Sequence, residues 1–426
     1  MDPAQPRRLG VAFLQSQAFF GADSAVHEQL MRHLDRGAVD VHCLATDERV
    51  APPRTSAIDR VRAIPGVSVR VADFGPTLFG QSRTARALAA GRGIRAAVRA
   101  VPLVRHLRAR SIDIIHGTEK PRDAFVGSLL ARAAGAAMVV HMHVAFDPWI
   151  SPRVRWAIGR ADAVVAVSRF VSASLVAAGY DPARIFTVHN SLDLADDRWR
   201  PGRDRSAIRH ELGIPLDAPV VCIASRIFRW KGHDDLVQAI ARVRDEIPDV
   251  RLIIVGEHDP RADGAATSFR EELAARIAGL GLGAQVRFTG FRADIADLMS
   301  ASDVFCQPSA AEPFGMVYLE AMAVRRPVVA YASGGAPEVV ADGVTGLLVP
   351  PGDVPALARA LVRVLRDESL QRQLGGAGRD RVERVFHPEQ SAAALLEVYR
   401  DVAARRRRAA EGARGSIAAG SASPRR

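Results

Sequence analysis

Cysteine is scarce in this sequence, with three residues among 426. Cys43, Cys222 and Cys306 lie far apart and form no C-x-x-C pair, so neither a disulfide framework nor a cysteine zinc site is predicted. We therefore expect three buried thiols in a protein of a reducing compartment.

Long apolar runs are absent as well. The nearest candidate, residues 139–146, is interrupted by His141 and His143 and is far shorter than the ~18 residues of a membrane-spanning helix. Residues 9–14 follow Arg7 and Arg8 but are too few for the apolar core of a secretion signal, so they predict a buried first strand. We expect a cytoplasmic protein, either fully soluble or peripheral at the inner face of the membrane.

Lysine is nearly missing, because only Lys120 and Lys231 occur among 58 basic side chains. The chain uses arginine almost everywhere that a positive charge suffices. A retained lysine therefore indicates a position where a compact ammonium group is needed.

The net charge of +11 is concentrated at the C-terminus. Residues 400–426 contain eight arginines against Asp401 and Glu411, a net charge of +6. This distribution argues against nucleic acid as a partner. The run from Arg405 to Arg408 is either a frayed helix end before a disordered tail or a contact for acidic lipid headgroups.

The chain does contain regular alternation of short apolar runs with amphipathic, arginine-containing stretches. This pattern is typical of strands buried on both faces and joined by crossover helices, which predicts an α/β protein. Strands are predicted at residues 9–14, 39–44, 67–71, 112–116, 137–143, 163–167 and 185–189, and then at 220–224, 252–256, 286–289, 304–307, 328–331 and 346–349.

A polar segment separates two groups of predicted strands. Residues 191–218 are rich in Asp, Arg, Pro and Gly and lack a sustained apolar period, so they predict an interdomain linker. The expected organisation is a Rossmann-like domain at 1–190, a second Rossmann-like domain at 219–386, a helix at 387–408, and a disordered basic tail at 409–426. Two doubly wound sheets that face each other across a cleft would suit a two-substrate enzyme.

The segment from Ser225 to Gly232 follows a predicted strand and precedes a helix. Arg226 at the strand end and Lys231 in the loop can both reach a ligand there. Two cations beside a helix N-terminus suit a pyrophosphate, including one that becomes a leaving group. The alternative is a solvated basic loop, which the rarity of lysine disfavours.

A second segment runs from Glu312 to Glu320, between a strand and a helix. The turn would present the backbone amides of Phe314, Gly315 and Met316 to a ligand above the helix start. A carboxylate can accept hydrogen bonds from two adjacent hydroxyls, so Glu320 could hold a ribose and Glu312 a sugar. The alternative is one acid at a helix start and one exposed glutamate.

Together these motifs closely resemble the donor site of the retaining glycosyltransferases of family 4, which have the GT-B fold. The resemblance rests on S-R-x4-K-G at Arg226 and Lys231 and on E-x7-E with P-F-G after Glu312. It continues in the family's order through Gly256-Glu257, Thr289-Gly290-Phe291 and Ser333 to Glu338.

The resemblance implies that the domain at 1–190 is the acceptor side, that the domain at 219–386 binds the nucleotide sugar, and that the helix at 387–408 crosses back to the first domain. It also implies roles for the site residues. Arg226 and Lys231 would bind the donor diphosphate, Glu320 the ribose, and Glu312 with the amides of Phe314, Gly315 and Met316 the transferred sugar. Gly21 would belong to the glycine-rich turn after the first strand, and His143 would lie near the transferred sugar.

The implied activity is hexosyl transfer from a nucleotide diphosphate sugar to an acceptor hydroxyl of a glycolipid, polysaccharide or small metabolite. The resemblance implies retention by front-face displacement, no metal, and no cofactor besides the donor substrate.

Other readings fit less well. His141 and His143 end a strand on one face, but no third ligand is placed near them in the sequence, so a metal site is not expected. Ser168 lacks a G-x-S-x-G elbow and is not predicted to be a nucleophile. A Rossmann oxidoreductase would need G-x-G-x-x-G after the first strand, where only Gly21 occurs. A catalytically silent nucleotide-sugar-binding protein remains the alternative.

Overall fold

The computed structural model describes residues 7–50, 55–75, 98, 100–147, 149–258 and 268–420. The chain divides into two compact units. The first contains residues Met1–His189 and Pro388–Arg426, and the second contains Asn190–His387.

The first unit is built on a seven-stranded sheet in which every neighbouring pair is parallel. The strand order is β3-β2-β1-β4-β5-β6-β7. Its strands are β1 Leu9–Gln15, β2 Val39–Ala45, β3 Ser68–Val71, β4 Ile112–Thr118, β5 Ala137–Met142, β6 Ala163–Ala166 and β7 Ile185–Thr187. Its helices are α1 Ala22–His33, α2 Ala57–Arg62, α3 (which includes 101–109), α4 Gly127–Ala134, α5 Pro152–Arg160, α6 Arg169–Ala177 and α15 Pro388–Gly420.

The second unit has a six-stranded parallel sheet in the order β10-β9-β8-β11-β12-β13. Its strands are β8 Val220–Ala224, β9 Arg251–Val255, β10 Val286–Gly290, β11 Val304–Cys306, β12 Val328–Tyr331 and β13 Gly346–Val349. Its helices are α7 Arg205–Glu211, α8 His233–Glu246, α9 Phe269–Gly279, α10 Ile295–Ala301, α11 Met316–Ala323, α12 Ala336–Val339, α13 Val354–Arg366 and α14 Glu368–Val385.

Both sheets are doubly wound, so the predicted fold class is confirmed. In each sheet the strand order reverses once, between β1 and β4 in the first unit and between β8 and β11 in the second. Crossover loops separate at such a switch point and leave a crevice outside the carboxyl ends of the strands. These two crevices are where ligands are expected.

All thirteen predicted strands are present, and their observed bounds differ from the predicted ones by no more than two residues. The central strands are apolar on both faces because helices cover both sides of each sheet. The three cysteines are free and buried, and burial raises the pKa of Cys43 to about 12. In the described part of the chain, no helix is both long and apolar enough to cross a bilayer.

The segment predicted as an interdomain linker contains helix α7 and several buried side chains. Residues from Asn190 onward belong to the second unit, and α7 packs against α10. Arg209 is fully buried, and its guanidinium donates to Asp303 at 3.0 Å and to the carbonyl of Ala218 at 2.8 Å. Buried hydrogen bonds thus hold Arg209 in place, while many other polar residues of this segment are exposed.

The terminal helix is longer than predicted. Helix α15 reaches Gly420, so the helix includes most of the segment expected to be a disordered tail from residue 409. Alanine and arginine favour helix strongly enough to extend it past the apolar part. Within the first unit α15 contacts α1, β4 and β5.

Candidate active site

The loop after β8 carries Arg226 and Lys231 to the carboxyl edge of the second sheet. Residues Arg229–Lys231 form a single 3-10 turn that ends at Gly232, whose φ is +78°. A Cβ atom at Gly232 would lie 2.0 Å from the carbonyl oxygen of Pro308. The glycine therefore permits the turn to approach the end of β11 and brings Lys231 to the switch point.

Lys231 forms an ion pair there with Glu312. The Lys231 Nζ atom lies 2.8 Å from Glu312 Oε2, and both side chains are largely buried. The same carboxylate oxygen accepts hydrogen bonds from Ser309 at 2.9 Å and from the Gln307 amide at 3.1 Å. Among the described residues none bonds the other oxygen, Oε1, so Glu312 is held rigidly with one oxygen available to a ligand.

Arg226 lies in the same loop but is not part of this ion pair. Its guanidinium carbon stands 4.9 Å from the centroid of the Phe228 ring, and the residue is exposed. The aromatic face orients the guanidinium without neutralising its charge. Arg226 therefore remains available to an anionic ligand.

Gly315 starts helix α11 with a left-handed backbone. Its φ is +101°, and a Cβ atom there would lie 2.3 Å from the Tyr318 ring. Tyr318 is itself fixed by donating to the carbonyl of Gln307 at 3.0 Å. The first backbone N–H groups of a helix have no intrahelical carbonyl to bond, so Gly315 and Met316 present donors beside Glu312.

Phe314 and Glu320 complete the predicted donor residues. The Phe314 side chain is buried, with its ring centroid 5.8 Å from that of Phe386, so only its backbone can contact a ligand. Glu320 lies one turn inside α11. Burial raises the pKa of its carboxyl to about 7, although the positive charge of Arg198 acts in the other direction and lowers it. Glu320 can therefore exchange a proton near neutral pH.

His143 directly follows β5, the strand next to β4 at the carboxyl edge of the first sheet. Its backbone N–H donates to Glu119 Oε2 at 3.1 Å, and its ring nitrogen Nε2 has no partner among the described residues. Burial lowers the pKa of His143 to about 4, so the imidazole is neutral at neutral pH. Gly21, after β1, begins helix α1 with an ordinary φ of −122°.

The expectation that no third ligand lies near His141 is wrong. Ring nitrogens of His27, His116 and His141 lie within 4.8 Å of one another, and all three side chains are buried. His27 comes from α1 and His116 from β4, so sequence spacing could not reveal the group. A tetrahedral zinc site brings its nitrogens to about 3.3 Å from one another, and one of the three pairs here, His116 and His141, is separated by 3.2 Å.

Hydrogen bonds link His141 through His116 to helix α15. His141 Nδ1 lies 3.2 Å from His116 Nε2, and His116 Nδ1 lies 2.9 Å from the Tyr399 hydroxyl of α15. Burial lowers the pKa of His116 to about 3 and that of His27 well below its ordinary value. Ser168, also at a strand end, caps helix α6 by accepting from the Val171 N–H at 3.1 Å, which is a structural role.

Sequence reasoning missed a charged group beside His143. Lys120 Nζ lies 2.6 Å from Asp23 Oδ2, and burial together with the nearby Asp23 charge raises the pKa of Glu119 to about 8. The rarity of lysine singled out Lys120, but nothing in the sequence connected it to Asp23, 97 positions earlier.

The His27→Leu substitution should stabilise the protein, most clearly in acid. Neither ring nitrogen of His27 has a partner in the described part of the chain, and its pKa is depressed in the folded state. Below about pH 6.5 the unfolded chain binds the extra proton, so folding stability falls as the pH falls. Leucine should therefore raise the free energy of unfolding by about 2 kcal/mol more at pH 5 than at pH 7.5.

Urea denaturation at the two pH values tests this prediction, with the exposed His210→Leu as the control. An equal change at both pH values for His27→Leu would contradict it.

Comparisons with known proteins agree with this arrangement. The family model "Glycosyltransferase Family 4" matches residues 25–196, and "Glycosyl transferases group 1" matches residues 204–381. The D-inositol 3-phosphate glycosyltransferase of Streptomyces scabiei is 32% identical over 86% of this chain and 86% of its own length. The alpha-maltose-1-phosphate synthase of Mycolicibacterium smegmatis is 38% identical over 59% of this chain and 66% of its own length.

Solved structures show the same fold. The Anabaena protein HepE, in complex with UDP and glucose, superposes with a TM-score of 0.74 at 25% identity, covering 92% of this chain and all of HepE. The sucrose-phosphate synthase of Thermosynechococcus elongatus gives a TM-score of 0.72 at 26% identity, covering 93% of this chain and all of that enzyme. The chain therefore belongs to glycosyltransferase family 4 and is a glycosyltransferase.

Proposed function

We propose that this glycosyltransferase moves a hexosyl group from a nucleotide diphosphate sugar to an acceptor hydroxyl and retains the anomeric configuration. The carrying observation is the Lys231–Glu312 pair at 2.8 Å beside the start of α11. It places a cation, a carboxylate oxygen and helix N–H donors together at the switch point of one unit, which is the combination that a sugar diphosphate requires.

The diphosphate would bind between Arg226, Lys231 and the first turn of α11. Two cations and the positive end of a helix stabilise the charge that develops when the sugar–phosphate bond breaks. Arg226 is exposed and keeps its charge, whereas Lys231 is held by Glu312. The diphosphate would therefore meet one fixed and one adaptable cation.

The sugar and ribose would be held by carboxylates. Glu312 Oε1 can accept from a sugar hydroxyl, because Lys231, Ser309 and Gln307 all bond the other oxygen. Glu320 can accept from both ribose hydroxyls when it is ionised. Because its pKa is about 7, binding of the diol would favour the ionised form.

The acceptor side would be the switch point of the first unit, with Gly21 at the start of α1 and His143 after β5. Neutral His143 would lie near the transferred sugar, as the resemblance implies, and its buried Nε2 has no partner among the described residues. In a front-face displacement the departing phosphate oxygen accepts the acceptor proton. No protein nucleophile is then needed, and the enzyme supplies orientation and electrostatic stabilisation.

The proteins similar to this chain support a nucleotide donor. HepE is described in complex with UDP and with UDP-glucose, and the relatives named above are two synthases and a transferase of sugars. We propose a nucleoside diphosphate sugar of this kind as donor.

Activity should persist in EDTA. Arg226 and Lys231 would supply the charge that a divalent metal supplies in metal-dependent transferases, so chelation should change kcat/KM by less than about twofold. The measurement is nucleotide release from the donor with and without EDTA. The EDTA concentration is about 5 mM, roughly a hundredfold above the concentration of trace metal. Complete loss of activity, restored by Mg²⁺ or Mn²⁺, would contradict metal-independent transfer.

The test of the proposed function starts with the donor. Thermal-shift screening of nucleotide sugars should give a rise in Tm with at least one of them, and mass analysis should then show a hexosyl gain on one of a set of candidate acceptors. A rise in Tm without hydrolysis or transfer from any donor would favour the alternative, a silent nucleotide-sugar-binding protein.

A further inference from the structure

One surface of the first unit combines exposed apolar side chains with arginines. It is formed by α4, by α5 and by the segments that precede each of them. We call it the basic aromatic face, and it consists of Phe125, Leu129, Arg132, Trp149, Arg153, Trp156 and Arg160.

The aromatic side chains of this face form a connected group. The ring centroids of Phe125 and Trp156 lie 5.6 Å apart. The Arg153 guanidinium lies 5.9 Å from the Phe125 ring, and that of Arg160 lies 4.7 Å from the Trp156 ring. The face thus alternates rings with cations.

Two of its apolar side chains are unusually exposed. Trp149, two residues before the N-cap of α5, is 64% exposed, and Leu129 is 46% exposed. Leu129 lies four residues after Phe125 along a continuous helical segment, so the two side chains share one face. Isolated exposed apolar residues are common, but a group rimmed by cations indicates an interaction surface.

The charge of the face has a single sign. Helices α4 and α5 contain four arginines and no aspartate or glutamate. Arg132, Arg153 and Arg160 are exposed, and none forms an ion pair with a described residue. Asp147 is the neighbouring acid, and it accepts from the Trp149 N–H at 3.2 Å. The positive charge of these three arginines is therefore not offset by a paired carboxylate in the described part of the chain.

We propose that the basic aromatic face docks on the surface of an anionic lipid bilayer. Arginine binds phosphate oxygens while its apolar stem lies along apolar surface, and tryptophan favours the boundary between headgroups and acyl chains. A protein that binds nucleic acid typically has a charged groove lined with aromatic rings on which bases stack. Here Leu129 lies three residues before Arg132 and Trp149 four residues before Arg153, and both apolar side chains are exposed, which suits insertion between lipids.

Docking would place the acceptor side of the enzyme close to lipid. Trp149 lies six residues after His143, in the connection that leaves the carboxyl edge of β5. If the proposed function holds, an acceptor hydroxyl on a lipid headgroup would then be the substrate class that this unit receives.

The experiment uses the full chain and vesicles, without donor or acceptor. Sedimentation should show binding to vesicles of phosphatidylglycerol and phosphatidylcholine in equal amounts, little binding to phosphatidylcholine alone, and weakening by salt. Arg153→Ser with Arg160→Ser should reduce the partition coefficient about thirtyfold, and Trp149→Ala with Leu129→Ser about tenfold.

Matched controls change the same charge and apolarity elsewhere on the first unit. Arg62→Ser with Arg184→Ser removes two exposed arginines that pair with Asp59 and Asp181, and Val176→Ser removes a side chain that is 44% exposed. These variants should bind as the parent does, and all variants should keep the parent's Tm.

Several outcomes would overturn the proposal. The first is no binding to anionic vesicles, and the second is an equal loss of vesicle binding in the Arg62/Arg184 control. The third is a loss of vesicle binding that only Arg407→Ser with Arg408→Ser causes, which would assign binding to the end of α15. Sedimentation of a dimer that the Trp149/Leu129 variant converts to monomer would assign the face to self-association. Because no reaction is measured, failure here leaves the proposed transfer reaction untouched, and failure of that reaction leaves docking untouched.

Discussion

The Lys231→Ala variant should lose at least about a hundredfold in kcat/KM, and Arg226→Ala should lose a similar factor. Removal of one charge-stabilising group from a water-poor site has effects of this size. For Lys231 the loss has a second cause, because Glu312 would keep its bonds to Ser309 and Gln307 but lose its only described cation partner. The measurement is steady-state nucleotide release at saturating and limiting donor concentration.

The neighbouring Arg229→Ala is the matched control. Arg229 lies in the same 3-10 turn, but its guanidinium pairs with Glu272 at 2.6 Å, away from Glu312. The kcat/KM of Arg229→Ala should stay within about threefold of the parent's, because an exposed ion pair contributes little to the stability of the loop. If folded Lys231→Ala or Arg226→Ala turned over like the parent, the diphosphate assignment would be wrong.

Deletion of helix α15 should yield insoluble protein. The helix buries Leu395, Leu396, Tyr399 and Val402 against the first unit, where it contacts α1, β4 and β5. Each such side chain contributes about 1.5–3 kcal/mol, so the loss approaches the entire stability of a typical domain. His116 would in addition lose the Tyr399 hydroxyl, its buried hydrogen-bond partner.

A chain that ends after Arg408 is the control. It keeps the buried residues of α15 and also Arg406, which donates to the carbonyl of Ala136 at 2.7 Å. Its Tm and its activity should match those of the full chain. The prediction fails if a protein ending at Phe386 is monodisperse and fully active.

The strands and the donor motifs could be predicted because their signals are local. A parallel strand covered by helices on both sides must be apolar over four or more consecutive residues, and residues 220–224 and 328–331 satisfy this condition without reference to any other part of the chain. A turn that requires a positive φ likewise shows itself as glycine, as at Gly232 and Gly315.

The contacts between motifs could not be predicted because they join distant positions. Lys231 and Glu312 are 81 residues apart, and the motifs predicted a separate ligand for each side chain without predicting that the two form an ion pair. The same holds for His27 and His116, which meet His141 only because α1, β4 and β5 converge at one switch point. The burial of Arg209 could not be predicted either, because a polar composition does not tell which arginine of a segment is buried and hydrogen-bonded.

The stereochemistry of donor hydrolysis tests the central claim most directly, because it needs no knowledge of the acceptor. The nucleotide α-sugar with the largest thermal shift would be incubated with enzyme, and proton NMR would follow the anomeric signal of the released sugar before it equilibrates. Front-face displacement at the Arg226–Lys231 site predicts the α anomer as the first product and its absence with Lys231→Ala. Initial release of the β anomer, or unchanged release by that variant, would contradict the account.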